Sequence, residues 1–295
     1  MSSIRLNEQE RGYSARMTDV GLDHRAPAGR GGPNDRRRDE GGRSRWALMR
    51  TRWPLAWGDL GLLVVISAVL TVVFVGLGEL ITGPLDGSVG RVDRDIAESL
   101  ANGRSAALVD LSYLGSMLAE TGVKIVVTTI ASGVMLAVWK RWHDALLVAV
   151  ALILEASVFL ITTLLVGRPR PQLARLDASP VDSSFPSGHV AAAVVYGTVV
   201  LIVSRHTTKR WPVVLATLLV AAVTFVVGWS RMFRGMHFLS DVIGGVLLGL
   251  ASIAATWWVL HRAERRVGGA DRHHLGGRGV LGLPPDEPGR QRGER

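Results

Sequence analysis

Long apolar runs separated by short charged loops fill the middle of the chain, from about residue 55 to residue 262. From Leu60 to about Ile81 the run is almost uncharged, and a helix needs roughly 20 apolar residues to cross a bilayer. Five further runs follow: Val123 to Trp139, Ala145 to Val166, His189 to Val203, Val213 to Trp229 and Phe238 to Leu260. None shows the strict two-residue alternation of a half-buried strand. The pattern predicts an all-α polytopic membrane protein with six transmembrane helices. The interval 82–120 differs. Its apolar positions Val92, Ile96, Leu100, Leu108, Leu111 and Leu114 recur among charges, which predicts one or two interfacial amphipathic helices.

The ends differ from the middle in composition. Residues 1–52 are rich in Arg, Gly, Asp and Ser without apolar periodicity, and residues 263–295 are rich in Gly, Arg and Pro. Both are expected to be disordered tails flanking a membrane unit at 53–262. No cleavable signal peptide is expected, because the first apolar run begins late. The absence of cysteine from the 295 residues excludes disulfides, thiol nucleophiles and thiolate metal sites.

The 34 Lys and Arg residues outnumber the 25 acids, for a net charge of +9. Such a balance is compatible with nucleic acid binding, yet the basic residues flank the apolar runs, as topology determinants do. The N-terminal tail, Lys140-Arg141, Arg205 with Lys209-Arg210, and Arg262 with Arg265-Arg266 fall on one side of a six-span arrangement. That side is expected to be cytoplasmic, with both termini inside. No nucleic acid partner is expected, and nothing in the pattern specifies an oligomeric state.

Three stretches on the opposite side break the charge bias. Gly167-Arg168-Pro169-Arg170-Pro171 ends the third span, and its prolines stop the helix while fixing two guanidinium forks suited to phosphate. Ser184-Phe185-Pro186-Ser187-Gly188-His189 begins the fourth, where a helix N-terminus, a hydroxyl and a glycine favour an anion. Ser230 to Asp241 joins the fifth and sixth, and places Arg231, His237 and Asp241 where a membrane segment rarely tolerates them. His237 and Asp241 lie four residues apart, on one face of a helix, so that the carboxylate is expected to orient the imidazole. Glu155 is a further intramembrane carboxylate, expected to be protonated and hydrogen-bonded between helices. Gly245 and Gly249 form a small-residue pair suited to close helix packing.

In order and spacing these stretches resemble the signatures of the type 2 phosphatidic acid phosphatase and vanadium haloperoxidase superfamily, membrane lipid phosphatase branch. Ser230-Arg231, five residues, His237, three residues, Asp241 is similar to the third signature, Pro186-Ser187-Gly188-His189 to the second, and Arg170-Pro171 to the end of the first. The first signature opens on a phosphate-binding lysine seven residues before its arginine, and here that position is Thr163. Arg168 in the same turn, or Lys124 near the outer start of the second span, would compensate; for Lys124 an ion pair with Glu120, one turn earlier, is the favoured reading.

The resemblance implies a metal-independent lipid phosphatase with no cofactor. In that scheme His237 attacks phosphorus, Asp241 orients it and His189 protonates the leaving oxygen. Arg170, Arg231, Ser187, Gly188 and Arg168 bind the phosphate. The substrate would be a lipid phosphate or diphosphate, such as undecaprenyl diphosphate or phosphatidic acid, hydrolysed at the outer face of the plasma membrane. A phosphotransferase, or a non-catalytic lipid-phosphate binder or transporter, would use the same pocket.

Overall fold

A computed structural model describes residues 55–139, 141–178 and 182–276; the expected tail at 1–52 lies outside them. The regular secondary structure of the described residues is all helical, with no strand among them. The helices are α1 (Trp57–Thr82), α2 (Arg91–Asn102), α3 (Ala106–Met117), α4 (Thr121–Trp139), α5 (Trp142–Val166), α6 (Gly188–Val195), α7 (Thr198–His206), α8 (Arg210–Phe233) and α9 (Leu239–Gly276), with a π-helical turn at Asp86–Gly90 before α2. Five segments are long and apolar enough to cross a membrane: α1, α5, the α6–α7 pair, α8 and α9 as far as Arg266. A sixth arises if α3 and α4, bent by 45° at their junction, form one broken span. The protein is a polytopic α-helical membrane protein. α9 runs on past residue 262, where the membrane unit was expected to end.

α5, α6 and α9 carry much of the buried core. α9 packs on α6 through Gly245 and Gly249, where an added Cβ would lie 2.5 Å from the Ser187 carbonyl oxygen and 2.6 Å from that of Ala191. The small-residue pair thus lets two backbones approach to a separation no larger residue permits. Phe185 fills the gap beneath, clustered with Phe74, Leu154, Val158 and Leu248. α1, by contrast, turns Val64, Val65, Val69 and Val72 outward, as a lipid-facing helix does.

Each end of the bundle has its own polar ties. At one end Asp59, at the start of α1, accepts from Arg266 of α9 at 3.0 and 2.5 Å. There too His206 of α7 meets Asp144 of α5 at 2.8 Å, and Arg205 forms a two-pronged pair with Glu264. At the other end, Arg104 of the α2–α3 turn donates to the Phe233 carbonyl at 3.0 and 2.8 Å and to the Ala174 carbonyl at 2.7 Å. One guanidinium therefore caps the C-terminus of α8 and fastens the 82–120 interval to the loop that follows α5.

Candidate functional site

Two chain reversals at that second end bring the site together. α5 stops at Gly167, whose φ of +59° closes the helix with its N–H on the Thr163 carbonyl; a left-handed glycine followed by an Arg-Pro pair is a natural helix stop. α8 ends at Phe233, and Gly235, at φ +72°, turns the chain back toward α9. α6 and α9 then start side by side, joined by the Ser187 N–H on the Asp241 carbonyl at 3.0 Å.

His237 is buried in the turn between α8 and α9. Its Nδ1–H donates to the Ser184 carbonyl at 2.7 Å, which leaves Nε2 as the unprotonated nitrogen of the neutral ring. Burial, followed by the charges of Arg231 and Arg170, pushes its pKa well below the usual imidazole value. It therefore holds the neutral form at pH 7 that a nucleophile or base requires.

His237, His189, Arg170, Arg231 and Gly188 line one cavity of about 340 Å³, with Lys124, Glu120, Phe159 and Asp177 in the same wall. Arg170 is buried and donates to the Met236 carbonyl at 2.5 Å; burial and the neighbouring Arg175 lower its pKa. Arg231 donates from Nη1 to Ser116 Oγ at 2.8 Å and to Asp177 at 2.9 Å, while its Nε is buried without a hydrogen bond. Ser187 Oγ, beside the first turn of α6, is also buried and unpaired. Buried donors without partners are uncommon; Arg231 is in the cavity wall, where an anion would satisfy it, and Ser187 adjoins the wall residue Gly188 without lining the cavity itself.

The structure places two expected residues differently. Asp241 Oδ2 lies 3.9 Å from His237 Nδ1 and accepts instead from the Phe238 N–H at 2.7 Å, closing the first turn of α9. The hydrogen bond that orients His237 comes from the Ser184 carbonyl. Arg168, expected to bind phosphate, does not line the histidine cavity. It donates from Nη1 to Asp241 at 2.5 Å and to Ser240 Oγ at 2.7 Å, and from Nη2 to Asp93 at 2.8 Å. It borders a separate cavity of about 410 Å³ on the far side of Arg170.

Sequence reasoning missed Asp93, Asp177 and Ser116. Asp93 of α2 is buried, and its second oxygen accepts from the Ser240 N–H at 3.0 Å. Asp177 joins Arg231 to Arg234, which grips it from Nε at 2.7 Å and Nη2 at 2.6 Å. Burial opposes the Asp177 charge, but the Arg234 hydrogen bonds and the two guanidinium charges outweigh it and hold its pKa below the usual carboxylate range. Glu155 is buried with both carboxyl oxygens unpaired, in place of the interhelical hydrogen bond expected for it.

Fold and site together define a polytopic α-helical membrane protein with a cationic cavity that carries two histidines. Residues 144–265, which supply Arg170, His189, Arg231 and His237 to this cavity, match the family model described as the PAP2 superfamily. Phosphatidylglycerophosphatase B of Bacillus subtilis (strain 168) is 35% identical over 91 residues, 29% of this chain and 42% of that protein. The undecaprenyl-diphosphatase of Sulfolobus acidocaldarius is 40% identical over 74 residues, 25% of this chain and 32% of the relative. The chain spans less than half the length of the curated relatives it matches. The crystal structure of a transmembrane PAP2-type phosphatidylglycerolphosphate phosphatase from Bacillus subtilis shares the fold, with a TM-score of 0.59 at 23% identity over 66% of this chain and 96% of that one.

Proposed function

We propose that the protein is an integral membrane phosphatase that hydrolyses a lipid phosphate or diphosphate through a phosphohistidine. The observation that carries this reading is His237, with Nδ1–H committed to a carbonyl and Nε2 unprotonated, in one cavity with His189, Arg170 and Arg231. Nε2 attacks phosphorus as the bond to the lipid oxygen breaks. The ring becomes cationic, and the Nδ1–H bond to the Ser184 carbonyl strengthens as it does. Arg170, Arg231, Ser187 and the N–H of Gly188 hold the equatorial oxygens. His189 gives a proton to the leaving oxygen, then takes one from the water that attacks the phosphohistidine. Breaking the P–N bond releases phosphate and restores neutral His237.

The basic clusters at the opposite end of the spans support a plasma membrane protein whose site faces the extracytoplasmic side, with α9 ending in the cytoplasm. The test is phosphate release by purified protein across a panel of lipid mono- and diphosphates. Wild type releases inorganic phosphate and His237→Ala does not. Equal activity in the two proteins would refute the reading, and a phosphodiester product in place of inorganic phosphate would assign a phosphotransferase.

A further inference from the structure

Lys124 is one of three lysines in the chain, with Lys140 and Lys209, and among the described residues it is the lysine in the wall of the histidine cavity. It stands on the first turn of α4, half-buried, and lines the same cavity as Arg170. Glu120 precedes it by four residues and lines the same cavity, a spacing that normally forms an ion pair on a helix surface. Lys124 makes no ion pair among the described residues. The cavity's other cations are engaged: Arg170 donates to the Met236 carbonyl, and Arg231 to Ser116 and Asp177. Lys124 is within electrostatic reach of His189 and of the unpaired Glu155. Thr163, where the family pattern has its lysine, is buried and absent from the cavity wall, with its hydroxyl 3.5 Å from the Phe185 carbonyl.

We propose that Lys124 is a phosphate-binding residue of this site, supplied from α4 in place of the cation that Thr163 of α5 does not provide. The inference rests on the phosphatase reading and completes its phosphate clamp. A lysine suits the place: its compact charge rides on a flexible stem and carries three donors. From the α4 wall it adds a third cation to those that Arg170 and Arg231 bring to a phosphoryl group in this cavity. The competing role is a counter-charge for Glu155, which would make Lys124 a part of the helix packing alone.

The full chain, purified in detergent, would be compared as wild type, Lys124→Met, Lys124→Arg, Glu155→Gln and His237→Ala. Two readouts are needed: phosphate release from phosphatidic acid micelles, and the rise in melting temperature produced by orthovanadate, which needs no turnover. Lys124→Met is expected to lower kcat/KM by ~10- to 100-fold, the scale of one charge-assisted hydrogen bond. It should also remove most of the vanadate-induced rise, with Lys124→Arg restoring part of both and Glu155→Gln keeping the full rise. The proposal falls if Lys124→Met stays within about twofold of wild type, or if it keeps the vanadate response and merely melts early in parallel with Glu155→Gln. Phosphate release by His237→Ala at the wild-type rate would overturn the phosphatase reading instead, while the vanadate comparison would still decide the role of Lys124.

Discussion

Replacing Arg168 by methionine should unfold the site before it alters its chemistry. The guanidinium is 5% exposed and lies between Asp93 and Asp241, at 2% and 0%. It is the cation paired with both and also stacks over Phe238 at 4.6 Å. Methionine keeps much of the volume but leaves two carboxylates buried without a counter-charge. Breaking a buried pair by removing one partner costs about 3–5 kcal/mol, a large share of the roughly 5–15 kcal/mol that holds a domain folded. At roughly 2–4 °C per kcal/mol for a chain of this size, a loss near 4 kcal/mol lowers the melting temperature by about 8–16 °C. Thermal unfolding in detergent, followed by tryptophan fluorescence, measures it. Asp93→Asn in the same background should recover part of the loss, because one stranded charge is gone, and the double-mutant cycle should show a coupling of about 1–3 kcal/mol. An Arg168→Met protein that melts within about 2 °C of wild type but loses turnover a hundredfold would refute the reasoning, and would return Arg168 to the phosphate.

The contrast between Arg168 and Arg170 shows where sequence reasoning reaches. Both stand in one Arg-Pro-Arg-Pro turn with the same local chemistry, and only the tertiary fold decides that Arg170 lines the histidine cavity while Arg168 turns to Asp93. The spans were legible because a membrane helix is a continuous apolar run, and the stop at Gly167 because glycine followed by proline ends a helix. The break at Tyr196–Gly197 between α6 and α7 was not legible, since composition continues across it. Gly245 and Gly249 announced close packing by their spacing, and α6 is what they meet. Asp93 and Asp177 were illegible for another reason. A carboxylate in a polar helix or loop looks the same whether it is solvated or buried on an arginine, and the partners Arg168 and Arg231 lie 75 and 54 residues away. Lys124 falls between these cases: its i,i+4 spacing from Glu120 predicts a local ion pair, and only the tertiary fold places it in the cavity wall.

Two further perturbations probe the carboxylates around the site. Asp177 has a folded pKa below its unfolded value of about 4, so its stabilisation is present above that value and is lost as pH falls through the folded pKa. Melting curves from pH 7 to pH 3 should show Asp177→Asn less stable than wild type at neutral pH, with the gap closing below about pH 4; a gap of constant size would exclude the linkage. For Asp241→Asn, the geometry separates two roles that a histidine–aspartate spacing usually combines. The Ser184 carbonyl holds the Nδ1–H of His237 at 2.7 Å, while Asp241 stands 3.9 Å away and serves Arg168 and the Phe238 N–H. A wrong tautomer costs a nucleophile–base triad about 10⁴ in kcat, but an asparagine here leaves the His237 tautomer to the carbonyl. The expected outcome is a melting temperature lowered by several degrees with kcat reduced by no more than ~10-fold, measured on the protein that remains folded. A fall of ~10³ or more at an unchanged melting temperature would mean that Asp241 reaches His237 during the reaction, and that the carbonyl bond belongs to the resting protein alone.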